Sequence, residues 1–139
     1  MIIYQISVFI ENKPGRLSDI VATLAQNNID IRALSIADTT DFGILRLIVN
    51  NPDLAIQVLS EKDLAVSKTQ VIGVKLADQP GALSEVLNVL RDAGIGVEYA
   101  YAFITHSKTN ACVILRVEDN EAAIAALSAK NFGFIESIE

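Results

Sequence analysis

The chain has 139 residues, 51% of them hydrophobic and 20% charged, which is typical of a soluble globular protein rather than a disordered or fibrous one. Its formal net charge of −6 opposes contact with nucleic-acid phosphates or anionic lipid, so neither is expected as a partner. The only cysteine, Cys112, excludes an internal disulfide. We find no signal-peptide pattern and no apolar run long enough to span a bilayer, and we expect a cytoplasmic protein.

The first half of the chain predicts the order strand, helix, two strands, helix and strand. An apolar, β-branched strand over 2–10 ends at a Pro-Gly pair, and a helix follows whose apolar residues recur at helical spacing. These residues are Leu17, Ile20, Val21 and Leu24. The helix ends at Asn27 and Asn28. Strands over 31–37 and 44–49 form a hairpin, an asparagine at 51 begins a second short helix, and the last strand covers 64–69.

The second half repeats this pattern. Ile6 aligns with Ile72, and the register continues without a gap until a two-residue insertion within 105–109. Its first helix has the same apolar stripe, at Leu83, Val86, Leu87 and Leu90, and stops at 93–94. Strands over 97–105 and 111–117, a helix capped by the aspartate at 119, and a strand over 132–138 complete the copy.

Two copies of this length predict two duplicated domains, 1–69 and 70–139, without a flexible linker between them. The order βαββαβ is typical of the ferredoxin-like fold, an α+β class with an antiparallel sheet and helices on one face.

The connection between the first strand and the first helix is the most informative segment of each copy. A proline fixes this turn, a glycine permits close approach to the backbone, and the first amides of the helix lack intrahelical acceptors. Such amides favour a carboxylate, and a side-chain oxygen two residues before the proline can accept from an ammonium group. The same segment also fits a plain strand-to-helix turn. The candidate ligand-binding residues are Asn12, Lys13, Pro14, Gly15, Arg16 and Leu17 in the first copy and Asp78, Gln79, Pro80, Gly81, Ala82 and Leu83 in the second.

The repeat, the element order and the Asp/Asn-x-Pro-Gly-x-Leu turn together resemble a tandem pair of ACT domains. The resemblance implies a regulatory protein that senses a small molecule, most often an amino acid, and acts on a separate metabolic enzyme. It implies modules side by side in one eight-stranded sheet, and ligands between the turn of one module and the second strand of the other. Carried over, Tyr99 and Tyr101 would then wall a pocket, although sheet packing also explains them.

No catalytic or metal-binding pattern accompanies these turns. The single histidine, His106, has no second ligand at metal spacing, and Cys112 is expected to be a small buried hydrophobe. No cofactor is expected, and the protein is not expected to be an enzyme. A small hydrolase that uses Arg16 and Asn12 is disfavoured because the second copy lacks both residues. The main alternative is a ligand-free interaction module, and the exposed sheet edges favour a homo-oligomer.

Overall fold

The computed structural model describes residues 1–38, 41–103 and 110–136, which contain seven strands and four helices. Their bounds are β1 Ile2–Glu11, α1 Arg16–Gln26, β2 Ile31–Asp38, β3 Phe42–Val49, α2 Pro52–Ser60, β4 Ala65–Ala77, α3 Ala82–Asp92, β5 Val97–Phe103, β6 Asn110–Val117, α4 Asn120–Ser128 and β7 Gly133–Phe134. The predicted order βαββαβ is confirmed in both halves. None of the helices within these ranges is long and apolar enough to span a membrane.

The chain divides into two compact units. The first is formed by Tyr4–Thr69, and the second by Met1–Ile3 with the described residues from Gln70 onward. In the first unit the strands lie in the order β2-β3-β1-β4, and β3 is antiparallel to both β1 and β2. This is the strand order of a ferredoxin-like sheet, in which each helix crosses over between two strands that are not neighbours.

In the first unit, one face of the sheet carries the core. Ile6 and Val8 of β1 pair with Leu47 and Leu45 of β3, and all four side chains are buried. Side chains alternate between the faces of a strand, so the residues between them lie on the opposite face. The core residues pack against α1 and α2.

The apolar stripe of α1 is only partly buried. Ile20 and Leu24 belong to the core as predicted, whereas Val21 is 37% exposed and the polar Thr23 is buried instead. The helix α3 shows the same outcome at the repeated position, since Leu87 is 37% exposed. Helical spacing predicts which residues share a broad face, but the tilt of the helix on the sheet decides which edge of that face is covered.

The second helix of each unit begins with the predicted side-chain cap. The Asn51 side chain accepts a hydrogen bond from the Leu54 amide at 3.2 Å, and the Asp119 side chain accepts one from the Ala122 amide at 3.0 Å. Each cap satisfies an amide that has no partner inside its helix. One amide at each of these two helix starts is therefore bonded to the protein's own side chain.

The second unit has the strand order β5-β6-β4-β7 and a core of its own. Its last strand, β7, comprises only Gly133–Phe134, which is shorter than the predicted 132–138. Residues 137–138 of that prediction, the end of the strand predicted over 97–105, and His106 with the inserted loop lie outside the described residues.

The strand count differs from the predicted eight. The last strand of the first repeat and the first strand of the second form one continuous strand, β4, of 13 residues. No proline or glycine interrupts the chain around Thr69 and Gln70, and β-branched residues on both sides favour extension. The described residues therefore contain seven strands, and the single eight-stranded sheet is not confirmed.

Candidate functional site

The two Pro-Gly turns have nearly identical backbones. Gly15 and Gly81 are the residues that precede α1 and α3, with φ angles of 86° and 90°. In this left-handed region an L side chain is strained, so glycine is required by the turn itself. Neither helix start has a side-chain cap, in contrast to α2 and α4.

The amides available at each turn lie one residue further along than the predicted pairs, which were Arg16 with Leu17 and Ala82 with Leu83. The Arg16 amide donates to the Lys13 carbonyl and the Ala82 amide to the Gln79 carbonyl, each at 3.3 Å, so both are engaged within the turn. The Asp19 amide in turn bonds the Gly15 carbonyl, which begins the regular helical pattern. In the described first turns of α1 and α3, the amides of Leu17, Ser18, Leu83 and Ser84 have no acceptor.

The turns are open to solvent. A Cβ added at Gly15 or Gly81 would meet no atom within 4 Å, so space for another molecule lies beside each backbone. The residues at 12–16 and 78–81 are exposed. Leu17 packs against the core of its unit, and Ala82 is only 3% exposed, so these two contribute backbone rather than side chain to any site.

The two turns differ in charge. In the first, the Lys13 ammonium lies 2.9 Å from Glu11 Oε2. This hydrogen bond, together with the attraction of Lys13 and Arg16, lowers the pKa of the Glu11 carboxyl. The second turn replaces these residues with Ala77, Gln79 and Ala82, which are uncharged. The two candidate sites therefore present different electrostatic surroundings to an anion.

A groove of about 590 Å³ runs along α1 in the first unit. Its walls are α1, the ends of β1 and β3, and the segment that leads into β4. Arg16 is the one candidate binding residue that lines it. The lining residues are Phe9, Ile10, Glu11, Arg16, Asp19, Ile20, Ala22, Thr23, Gln26, Phe42, Lys62, Asp63, Leu64 and Ala65. The prediction from sequence missed this groove, because its walls are distant in the chain.

The family described as ACT domain pair matches residues 1–139, the whole chain. The chain belongs to this family. The predicted resemblance is thereby confirmed. The sequence matches none of the curated proteins.

Solved structures share the fold of this ACT domain pair. Protein BT0572 from Bacteroides thetaiotaomicron is 39% identical over 97% of this chain and 92% of its own, with a TM-score of 0.91. The ligand-free regulatory subunit of aspartate kinase from Thermus thermophilus is 16% identical over 93% of this chain and 96% of its own, with a TM-score of 0.66. The corresponding subunit from Thermus flavus has a TM-score of 0.62 at 16% identity over 93% of this chain and 94% of its own. At 16% identity, these two similarities show the fold alone.

The two tyrosines predicted as pocket walls lie on β5 of the ACT domain pair. Tyr99 and Tyr101 are half-buried on one face of the strand, with ring centroids 6.4 Å apart. Tyr99 pairs with Arg116 and Tyr101 with Ile114, whereas Val97 pairs with the core residue Val117 beyond a register shift in the strand. Val97 therefore lies on the core face and the two tyrosines on the opposite face, a position compatible both with sheet packing and with a binding role.

Other reactive groups of the pair are few in the described segments. Cys112 is half-buried rather than fully buried, and its burial raises the pKa of the thiol, which disfavours the reactive thiolate. No group of three or more His, Cys, Asp or Glu residues there is arranged to hold a metal ion.

Proposed function

We propose that this ACT domain pair is a regulatory protein that binds a small molecule, an amino acid, and acts on a separate partner enzyme. The observation that carries the proposal is the presence of two glycine-capped turns, each with unpaired amides beside open space. The starts of α2 and α4 each have a side-chain cap, whereas those of α1 and α3, which carry the family motif, have none.

The proposed recognition follows from the chemistry of a free amino acid. A carboxylate is stabilised at the start of α1 by the Leu17 and Ser18 amides and by the positive end of the helix dipole. The side-chain oxygen of Asn12, or of Asp78 in the second repeat, accepts from the ammonium group. That a neighbouring module completes each site, with Tyr99 and Tyr101 as walls, stays a prediction, as do the domain limits 1–69 and 70–139.

A separate partner enzyme is proposed from the type of protein that shares the fold. The Thermus thermophilus structure of similar length is a regulatory subunit of aspartate kinase, and this chain covers 96% of it. We propose that the present chain likewise regulates by binding rather than by catalysis. The regulation would work by linkage. A ligand that binds one conformational or assembly state more tightly shifts the population toward that state, either in a complex with the partner enzyme or in a homo-oligomer.

A thermal-shift screen of the twenty amino acids tests the proposal. A ligand at one hundred times its Kd stabilises the folded state by roughly 2.7 kcal/mol, which shifts the melting temperature measurably. At least one amino acid should produce this shift. If none does at millimolar concentration, with the protein shown to be folded, amino-acid sensing is wrong.

Paired substitutions at equivalent positions show which turn binds. Asn12→Ala and Asp78→Ala each remove one proposed ammonium acceptor without changing the glycine. Loss of a hydrogen bond to a charged group should raise Kd by roughly tenfold in the turn that is used. Valine at Gly15 or Gly81 is a poorer test, because the positive φ makes a β-branched residue strained whether or not a ligand binds. Unchanged affinity in both alanine variants would place the ligand elsewhere.

The alternative function is a ligand-free interaction module. It is favoured by an exposed aromatic pair on the sheet face of the first unit that lies opposite its core. Phe9 and Phe42 are 50% and 42% exposed, and their ring centroids lie 5.0 Å apart. Exposed apolar groups of this size are typical of contact surfaces. Absence of a thermal shift, together with loss of enzyme binding in Phe9→Ser, would support this alternative.

A further inference from the structure

We infer that the groove along α1, which shares only Arg16 with the first Pro-Gly turn, is a second small-molecule site that takes a zwitterion with an apolar side chain. The inference goes beyond the proposed function because the groove lies within the first unit and needs no second module. Its volume of about 590 Å³ lies in the range of roughly 300–1,000 Å³ that ligand sites occupy.

One wall of the groove is a single stripe of α1. Arg16, Asp19, Thr23 and Gln26 follow one another at spacings of three or four residues, so they share one side of the helix. Ile20, at the base of this stripe, is buried in the core. The helix therefore supplies charged groups along an apolar floor, which suits a ligand that has both a polar head and an apolar body.

The opposite wall also carries one cation and one carboxylate. Lys62 and Asp63 lie in the segment between α2 and β4, where Asp63 has a φ of 60°. Leu64 and Ala65 follow and extend the apolar surface. The two walls are thus each formed by one cation, one carboxylate and apolar neighbours.

Three carboxylates and two cations line the groove. Glu11 is already paired with Lys13 at 2.9 Å, which leaves Arg16 and Lys62 against Asp19 and Asp63. In the described ranges of the chain, none of these four has an ion-pair partner within 4 Å. Two cations and two anions without mutual contact match a ligand with one carboxylate and one ammonium, and they oppose one with a large net charge.

The second repeat does not reproduce this set. Arg16 aligns with Ala82, Glu11 with Ala77 and Asp63 with Asn131, whereas Lys62 has a direct counterpart in Lys130. The backbone at 63 and 131 is the same, with φ angles of 60° and 67°. The chain therefore offers a matched control, because Lys130→Ala makes the same change in a repeat that keeps a carboxylate at Glu85 but has uncharged residues in place of Arg16 and Asp63.

Amide chemical shifts of the full 15N-labelled chain test the inference, with L-phenylalanine and L-leucine as separate probes. We expect shifts at Lys62, Asp63 and Leu64. Phenylalaninamide, which lacks the carboxylate, and N-acetylphenylalanine, which lacks the ammonium, should each bind at least about tenfold more weakly. Leu17 lies next to Arg16, which lines the groove, so the first turn is followed through Asn12→Ala and the groove through the 62–64 amides. The two proposals can then fail independently.

Two pairs of variants complete the test. Lys62→Ala should raise Kd for the groove by roughly tenfold, and Lys130→Ala should leave it unchanged. Ala22→Phe should obstruct the groove, whereas Asn88→Phe, the equivalent change on α3, should not. The inference is wrong if neither probe shifts the 62–64 amides, if the two lysine variants weaken binding equally, or if the blocked analogues bind as well as phenylalanine.

Discussion

Gly73 in the middle of β4 is expected to resist even the smallest substitution. A Cβ at this position would lie 2.8 Å from Ile135 Cδ1 and 3.2 Å from both Ile135 Cβ and Cγ1. The Ile135 amide donates to the Gly73 carbonyl at 2.8 Å, which holds the isoleucine backbone in place. Ile135 is itself only 7% exposed, so its side chain has little room to turn away.

Two opposing effects decide the stability of Gly73→Ala. Alanine in a strand is ordinarily more favourable than glycine by roughly 0.5–1 kcal/mol, because it restricts the unfolded chain. Overpacking a buried site costs roughly 1–3 kcal/mol. The contact at 2.8 Å involves the flexible end of the side chain, but the Cβ at 3.2 Å moves only with the backbone. Overpacking should therefore win, with a net loss of about 1–2 kcal/mol.

Urea denaturation of a small set of variants measures this loss. Gly96→Ala is the control, since a Cβ there meets nothing within 4 Å and the change should cost far less. Ile135→Val removes Cδ1 and with it the shortest contact, so the cost of Gly73→Ala should fall by roughly 0.5–1 kcal/mol in the double variant. The reasoning would be refuted if Gly73→Ala were as stable as the parent chain, or if Ile135→Val left the cost of Gly73→Ala unchanged.

Three further predictions concern local interactions. Asn51→Ala should destabilise the chain by about 1 kcal/mol through loss of the α2 cap, measured by urea denaturation; an unchanged midpoint would contradict the cap. Gly15→Ala should cost about 1–2 kcal/mol through its positive φ, although the site is spacious, whereas Gly15→Asn should cost less. Lys13→Gln should raise the pKa of Glu11 toward its ordinary value in an NMR titration. Because the pKa of Glu11 is lowered in the folded state, its contact with Lys13 stabilises the fold at pH values above the unfolded-state pKa. This stabilisation is lost as the pH falls through the folded-state pKa.

Much of the fold could be predicted because its signals are local. The Pro-Gly turns and the Asn51 cap each depend on residues only a few positions apart. The repeat strengthened these signals, since every element was seen twice. The family resemblance also came from local features, namely the turn motif and the order of elements, and it is confirmed over the whole chain.

Tertiary structure decided what depends on distant neighbours. The packing of α1 and α3 leaves Val21 and Leu87 37% exposed despite their place in an apolar stripe. Strand pairing limited the last strand to Gly133–Phe134 of the predicted 132–138. Pairing and packing are set by partners far away in the chain, which no local pattern contains.

The amino-acid sequence by itself determined the two repeats, the element order and the glycine turns with their unpaired amides, because backbone sterics and short-range hydrogen bonds specify them. Only the folded chain brought α1 and the 62–65 segment together as the walls of one groove. The charged residues of α1 and those at 62–63 are separated by more than forty residues, so only long-range packing brings them to one groove.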